Sequence, residues 1–100
     1  MRLCRALPQA FDARAIGRQL VRSGTSVAAN HRAACRARSR KEFIAKIGVV
    51  VEEADETQFW LELLEESGLI RPELLQDLAR EARELTAIFT ASYDTARSRK

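Results

Sequence analysis

One hundred residues, 46% of them hydrophobic and 31% charged, suffice for one small domain and leave nothing for a second core, so residues 1–100 are read as a single unit. Only four glycines and two prolines exclude fibrous and low-complexity classes, and no stretch approaches the roughly 20 apolar residues of a membrane span, so a cytoplasmic protein is expected. The formal charge of +3 hides a division: residues 1–50 hold eleven Lys/Arg against two acids, and residues 51–100 hold six against twelve, which suits an anionic partner, a self-complementary assembly, or both.

The opening MRLCRALPQAF contains no signal-type apolar run. Within it RLCRAL predicts a short first helix, ended by Pro8, which lacks an N–H and clashes with the preceding turn. Asp12 is the N-cap candidate of a second helix reaching about Ala37. Ser39 and Glu42 in SRKE make a capping box for a third helix, which runs to about Ser67 and meets a left-handed stop at Gly68. Pro72 and Glu73 suit the first turn of a fourth helix extending to about Thr95, after which residues 96–100 form a basic tail.

Apolar spacing supports these elements. Ile16, Leu20, Gly24, Val27, Ala28 and Ala34 share one face of the second helix. Phe43, Ile47, Val50, Ala54, Thr57, Leu61 and Leu64 alternate by four and three along the third, as Leu75, Leu78, Ala82, Leu85 and Phe89 do along the fourth. No strand pattern competes. Long helices joined by connections of a few residues lie antiparallel, so the expected class is all-α: an antiparallel up-and-down four-helix bundle whose first helix is short.

Small residues at Gly24, Ala28 and Ala34 are expected where the second helix approaches its neighbours closely. Ser23, Ser26 and Asn30 form a polar stripe beside that face, for which Glu53 and Glu56 of the third helix are the expected acceptors. The stripe is read as setting helix register, with a ligand site as the alternative. Away from the apolar face, Arg14, Arg18, Arg22, Arg32 and Arg36 project together, and Arg38, Arg40, Lys41 and Lys46 carry the charge around the corner. Such a strip is a solvated face, a track for phosphates, or one half of a set of salt bridges with another subunit. The third helix carries large apolar groups on a second face, Val49, Phe59, Trp60 and Leu63, set among Glu52, Glu53 and Glu56, and this predicts an oligomer interface anchored by Trp60.

Catalytic constellations are missing. The lone His31 has no Glu-x-x-His partner, Cys4 and Cys35 form no CxxC pair, and no phosphate loop or nucleophile elbow occurs. No enzyme activity, metal or cofactor is expected. The segments RSGTSVAAN, RARSRKEF and EEADETQFWLELL, within residues 22–69, strongly resemble the bacterial four-helix bundle protein family, also described as large-subunit ribosomal RNA intervening-sequence proteins. That resemblance implies an up-and-down four-helix bundle assembled as a homopentamer. The chain is also similar to the accessory protein of diversity-generating retroelements, a basic pentamer that binds nucleic acid and a reverse transcriptase. The functional expectation is therefore a non-catalytic oligomer binding RNA or DNA through its basic helix face, the alternative being a homo-oligomeric scaffold or adaptor for a protein partner.

Overall fold

The computed structural model describes residues 13–68 and 70–98; the expected first helix lies outside the described residues. Three helices carry the fold: α1 (Ala13–Cys35), α2 (Arg40–Ser67) and α3 (Pro72–Ser98), with no strand among the described residues. They correspond to the expected second, third and fourth helices. The all-helical class holds, and the arrangement seen among the described residues is a bundle of three helices rather than four.

Local chemistry places the ends. Ser39, extended at φ −149°, accepts the Glu42 amide at 3.0 Å through its Oγ. The Glu42 carboxylate accepts the Arg38 amide at 3.4 Å, one residue earlier than a reciprocal capping box requires. Gly68 ends α2 at φ 70°, its amide donating to the Glu65 carbonyl at 3.3 Å, a conformation costly for any residue with a Cβ. Pro72 then opens α3 at the position where a missing N–H costs nothing. At the other end of the molecule the Arg40 guanidinium donates to the Ala96 carbonyl at 3.0 and 2.6 Å, tying the start of α2 to the end of α3. A cation is favoured there by the negative end of the α3 dipole.

α2 is the central helix, with α1 and α3 each packed against it in a rod of 47 × 23 × 19 Å. The core divides in two. Ile16, Leu61, Leu63, Leu64 and Leu75 form a lower cluster, with Leu20, Phe59, Trp60 and Ile70 against it. Ala34, Ile47 and Val50 form an upper cluster, with Val27, Phe43, Phe89 and Tyr93 against it. Between them lies a polar layer. The Thr57 hydroxyl donates to Ser23 Oγ at 2.9 Å, the fully buried Ser23 donates to the Leu20 carbonyl at 3.2 Å, and the Gln58 amide donates to Thr86 Oγ1 at 2.7 Å. Sliding either outer helix along α2 would break one of these bonds in an apolar interior, so the layer fixes register.

Three sequence expectations are corrected here. Leu63, assigned to an oligomer interface, is 1% exposed and belongs to the lower cluster. A helix that touches two neighbours buries a much wider arc than a single apolar stripe, so the apolar second face of α2 is largely consumed inside the subunit. Close approach at Gly24 is also absent: a Cβ there would meet nothing within 4 Å, and Ala28 is exposed. Close contact occurs instead at Gly48, where an added Cβ would stand 3.1 Å from Tyr93 Cε1. Finally, the α2 partner of the polar stripe is Thr57, whose hydroxyl donates to Ser23, while the Glu53 and Glu56 carboxylates are engaged by Arg22.

An apolar groove of about 190 Å³ runs between α1 and α3, lined by Gly24, Val27, Ala54, Thr57, Ala82, Leu85 and Phe89. Val21 on α1 and Leu74, Leu78, Leu85 and Ile88 on α3 are exposed by 44–65%, Leu85 being one of the groove's lining residues.

Candidate nucleic-acid interface

The residues expected to meet phosphate start on α1, a helix without a single acidic residue. Arg14, Arg18, Arg32 and Arg36 recur at spacings of four and fourteen, which brings all four to one side at 100° per residue. That side faces away from Ile16, Ser23 and Ala34, the residues α1 buries. All four are exposed and make no ion pair or side-chain hydrogen bond among the described residues. Unneutralised guanidinium groups held on a rigid rod suit phosphate oxygens, which they bind as charge-assisted and bidentate partners.

Arg22 is different. Its Nη1 donates to Glu53 Oε2 at 3.0 Å, its Nη2 donates to Glu56 Oε1, and its Nε donates to Gln19 Oε1 at 3.1 Å. Hydrogen bonding to Glu56 comes first among the causes that raise the Arg22 pKa above its ordinary value. With its fork filled, Arg22 leaves the set of phosphate contacts expected from the sequence and acts instead as a clasp between α1 and α2. The salt bridges expected from the sequence as an alternative ran to another subunit; the pairing of Arg22 with Glu53 and Glu56 lies within a single subunit.

Glu56 holds the other end of the clasp. The Trp60 indole N–H donates to its Oε1 at 3.1 Å and, with Arg22, keeps the carboxyl below its usual pKa, the indole bond being the larger cause. A depressed carboxyl pKa adds stability that is fully present above the unfolded value of about 4.3 and is lost as the pH falls through the folded value. The melting temperature is therefore expected to fall on acidification from about pH 5 to about pH 3, and less steeply in Glu56→Gln than in the parent. Superimposable profiles would show that the clasp contributes nothing.

The remaining expected contacts gather at one end of the rod. Arg38 and Lys41 are exposed beside Arg36, whereas Arg40 is anchored on Ala96. Arg97, which the sequence placed in a basic tail, lies within α3, its guanidinium carbon 5.0 Å from the Tyr93 ring centroid. The four-residue spacing of Tyr93 and Arg97 on a helix was the available signal for it. In the stripe, Asn30 donates to the Ser26 carbonyl at 2.9 Å and stands 3.2 Å from Ser26 Oγ, so these two serve α1 itself while Ser23 serves the joint with α2. Of the expected interface, Val49 is 37% exposed, and Phe59 and Trp60 are half-buried, 5.0 Å apart edge to face.

Among the described residues no three His, Cys, Asp or Glu side chains are grouped to hold a metal ion. No helix among them is long and apolar enough to cross a membrane.

None of the curated proteins matches this chain. A solved structure from Bacteroides thetaiotaomicron, described as a protein of unknown function from the S23 ribosomal protein family, is similar at 36% identity and a TM-score of 0.74. The likeness covers 78% of this chain and 72% of that one. The sequence pattern of the 23S rRNA-intervening sequence proteins matches residues 1–91, nearly the whole length read here. This chain belongs to the 23S rRNA-intervening sequence protein family.

Proposed function

We propose that this is a non-catalytic, cytoplasmic protein that binds RNA or DNA through the outer face of α1 and the adjoining basic end of the bundle. The observation that carries the reading is the state of Arg14, Arg18, Arg32 and Arg36: exposed, on one side of a helix with no acidic residue, and uncompensated among the described residues. A merely solvated helix face ordinarily interleaves both signs of charge. The family's name, drawn from an intervening sequence of 23S ribosomal RNA, supports an RNA-related role. Protein purified at low salt without nuclease is expected to retain nucleic acid, giving an elevated 260/280 nm absorbance ratio that a high-salt wash lowers. A ratio matching protein alone under both conditions would contradict the proposal.

A homo-oligomeric scaffold or adaptor, with a reverse transcriptase as its partner by family analogy, is the second reading. It is favoured by the exposed apolar residues on α3, Leu74, Leu78, Leu85 and Ile88. The four-helix, pentameric form belongs to this proposal as well: the apolar groove between α1 and α3 supports a fourth helix position, and a ring of identical subunits would multiply the basic face. Light scattering on the purified protein distinguishes a monomer from such a ring.

A further inference from the structure

Two features of the basic face bear on which form of nucleic acid it fits. The first is its division. With Arg22 drawn onto Glu53 and Glu56, the free cations along α1 and the turn that ends it fall into a lower pair, Arg14 and Arg18, and an upper pair, Arg32 and, just past Cys35, Arg36. Thr25 and Ala29 occupy the exposed turns between them. At 1.5 Å per residue the pairs are centred about 27 Å apart, and their outermost members are separated by about 33 Å. A strand of a double helix returns to the same side after one turn of about 34–36 Å, with a groove between the two passes. A flexible single strand has no such repeat for a rigid, two-ended face to match.

The second feature is where the aromatic rings are. Single-strand binders stack bases on exposed rings. Here Phe59 and Trp60 pack against the lower core cluster, and Phe43, Phe89 and Tyr93 pack against the upper one. Every Phe, Trp and Tyr ring of the described residues is thus half-buried against one of the two core clusters, and α1 contains none of these residue types; its one imidazole, His31, lies 5.4 Å from the Phe89 ring, off the arginine side of the helix. The face offers cations to backbones and no platform to bases, a combination suited to duplex shape and phosphate contact.

We infer that the partner of this face is a double-stranded nucleic acid, gripped at two successive backbone passes by the Arg14/Arg18 and Arg32/Arg36 pairs, whose outermost members stand about one helical turn apart. This rests on the nucleic-acid reading above and narrows it. The test is fluorescence anisotropy at about 50 mM salt with labelled duplexes of about 24 base pairs, hairpins of about 6 base pairs, and single strands of about 24 nucleotides, each as RNA and as DNA. The long duplex in at least one chemistry is expected to bind about tenfold or more tightly than both the single strand and the short hairpin, and the RNA and DNA arms show which helix is preferred. Arg14→Gln with Arg18→Gln is expected to weaken long-duplex binding about tenfold while barely affecting the hairpin, with an unchanged melting curve as the fold control. Equal or tighter binding of single strands, or an undiminished long-duplex affinity in a folded double variant, would overturn the inference and leave nucleic-acid binding standing. No binding of any probe would overturn both.

Discussion

Leu63→Ala is expected to cost this fold about 2–5 kcal/mol, a large fraction of the roughly 5–15 kcal/mol that a small domain possesses. Leu63 is among the most buried side chains in the structure, at 1% exposed, and it shares the lower cluster with Ile16, Leu61, Leu64 and Leu75. Truncation removes three carbons from that cluster and leaves a void in the core. That core has little means of relaxing: α1 and α3 are fixed to α2 in the middle by the Ser23–Thr57 and Gln58–Thr86 hydrogen bonds, so the lower ends cannot slide inward. Urea denaturation is the direct measurement, with a lowered midpoint at unchanged m-value as the expected result. The loss is expected to be independent of protein concentration, which separates a core residue from the interface residue that the sequence suggested. A change under about 1 kcal/mol would contradict the placement.

A second large effect is expected on binding. Reversing the upper pair, Arg32→Glu with Arg36→Glu, removes two cations and adds two anions to a face that carries no acid of its own. Each phosphate that goes unneutralised should make the slope of log K against log salt shallower by about 0.7–0.9, and the added repulsion deepens the defect, so affinity at about 50 mM salt is expected to drop more than about 30-fold. The fold should be indifferent. Both residues are exposed, and neither makes an ion pair or side-chain hydrogen bond among the described residues. Arg22→Gln provides the contrast. Removing that guanidinium strands the half-buried Glu53 and Glu56 carboxylates, so stability is expected to fall while binding changes little. If Arg22→Gln impaired binding as strongly as the Arg32/Arg36 reversal, the clasp would be serving phosphate after all.

Much of the fold was legible because its signals are local. Ser39 as N-cap, Gly68 as left-handed stop and Pro72 as the first residue of α3 each depend on the chemistry of one or two neighbouring groups, and all three stand where the spacing puts them. What escaped was relational. A helical wheel shows that α2 has apolar groups on two faces but not what covers them, so Leu63 reads equally well as interface or core. Likewise Gly24 looks like a packing site and Gly48 like an incidental residue until Tyr93 is seen against Gly48. Charge behaved in the same way: the sequence places five arginines on one side of α1, and only the approach of Glu53 and Glu56 separates Arg22 from the four that remain free.

The claim on which the account rests is that α1 presents cations free to meet phosphate. Anisotropy of the unmodified protein with a labelled duplex, titrated at salt concentrations from about 50 to about 300 mM, tests it most directly. The account predicts saturable binding whose log K falls linearly with log salt at a slope of about −3 or steeper, as four or more released counterions require. Absent binding at the lowest salt, or an affinity indifferent to salt, would contradict it and leave the scaffold reading in its place.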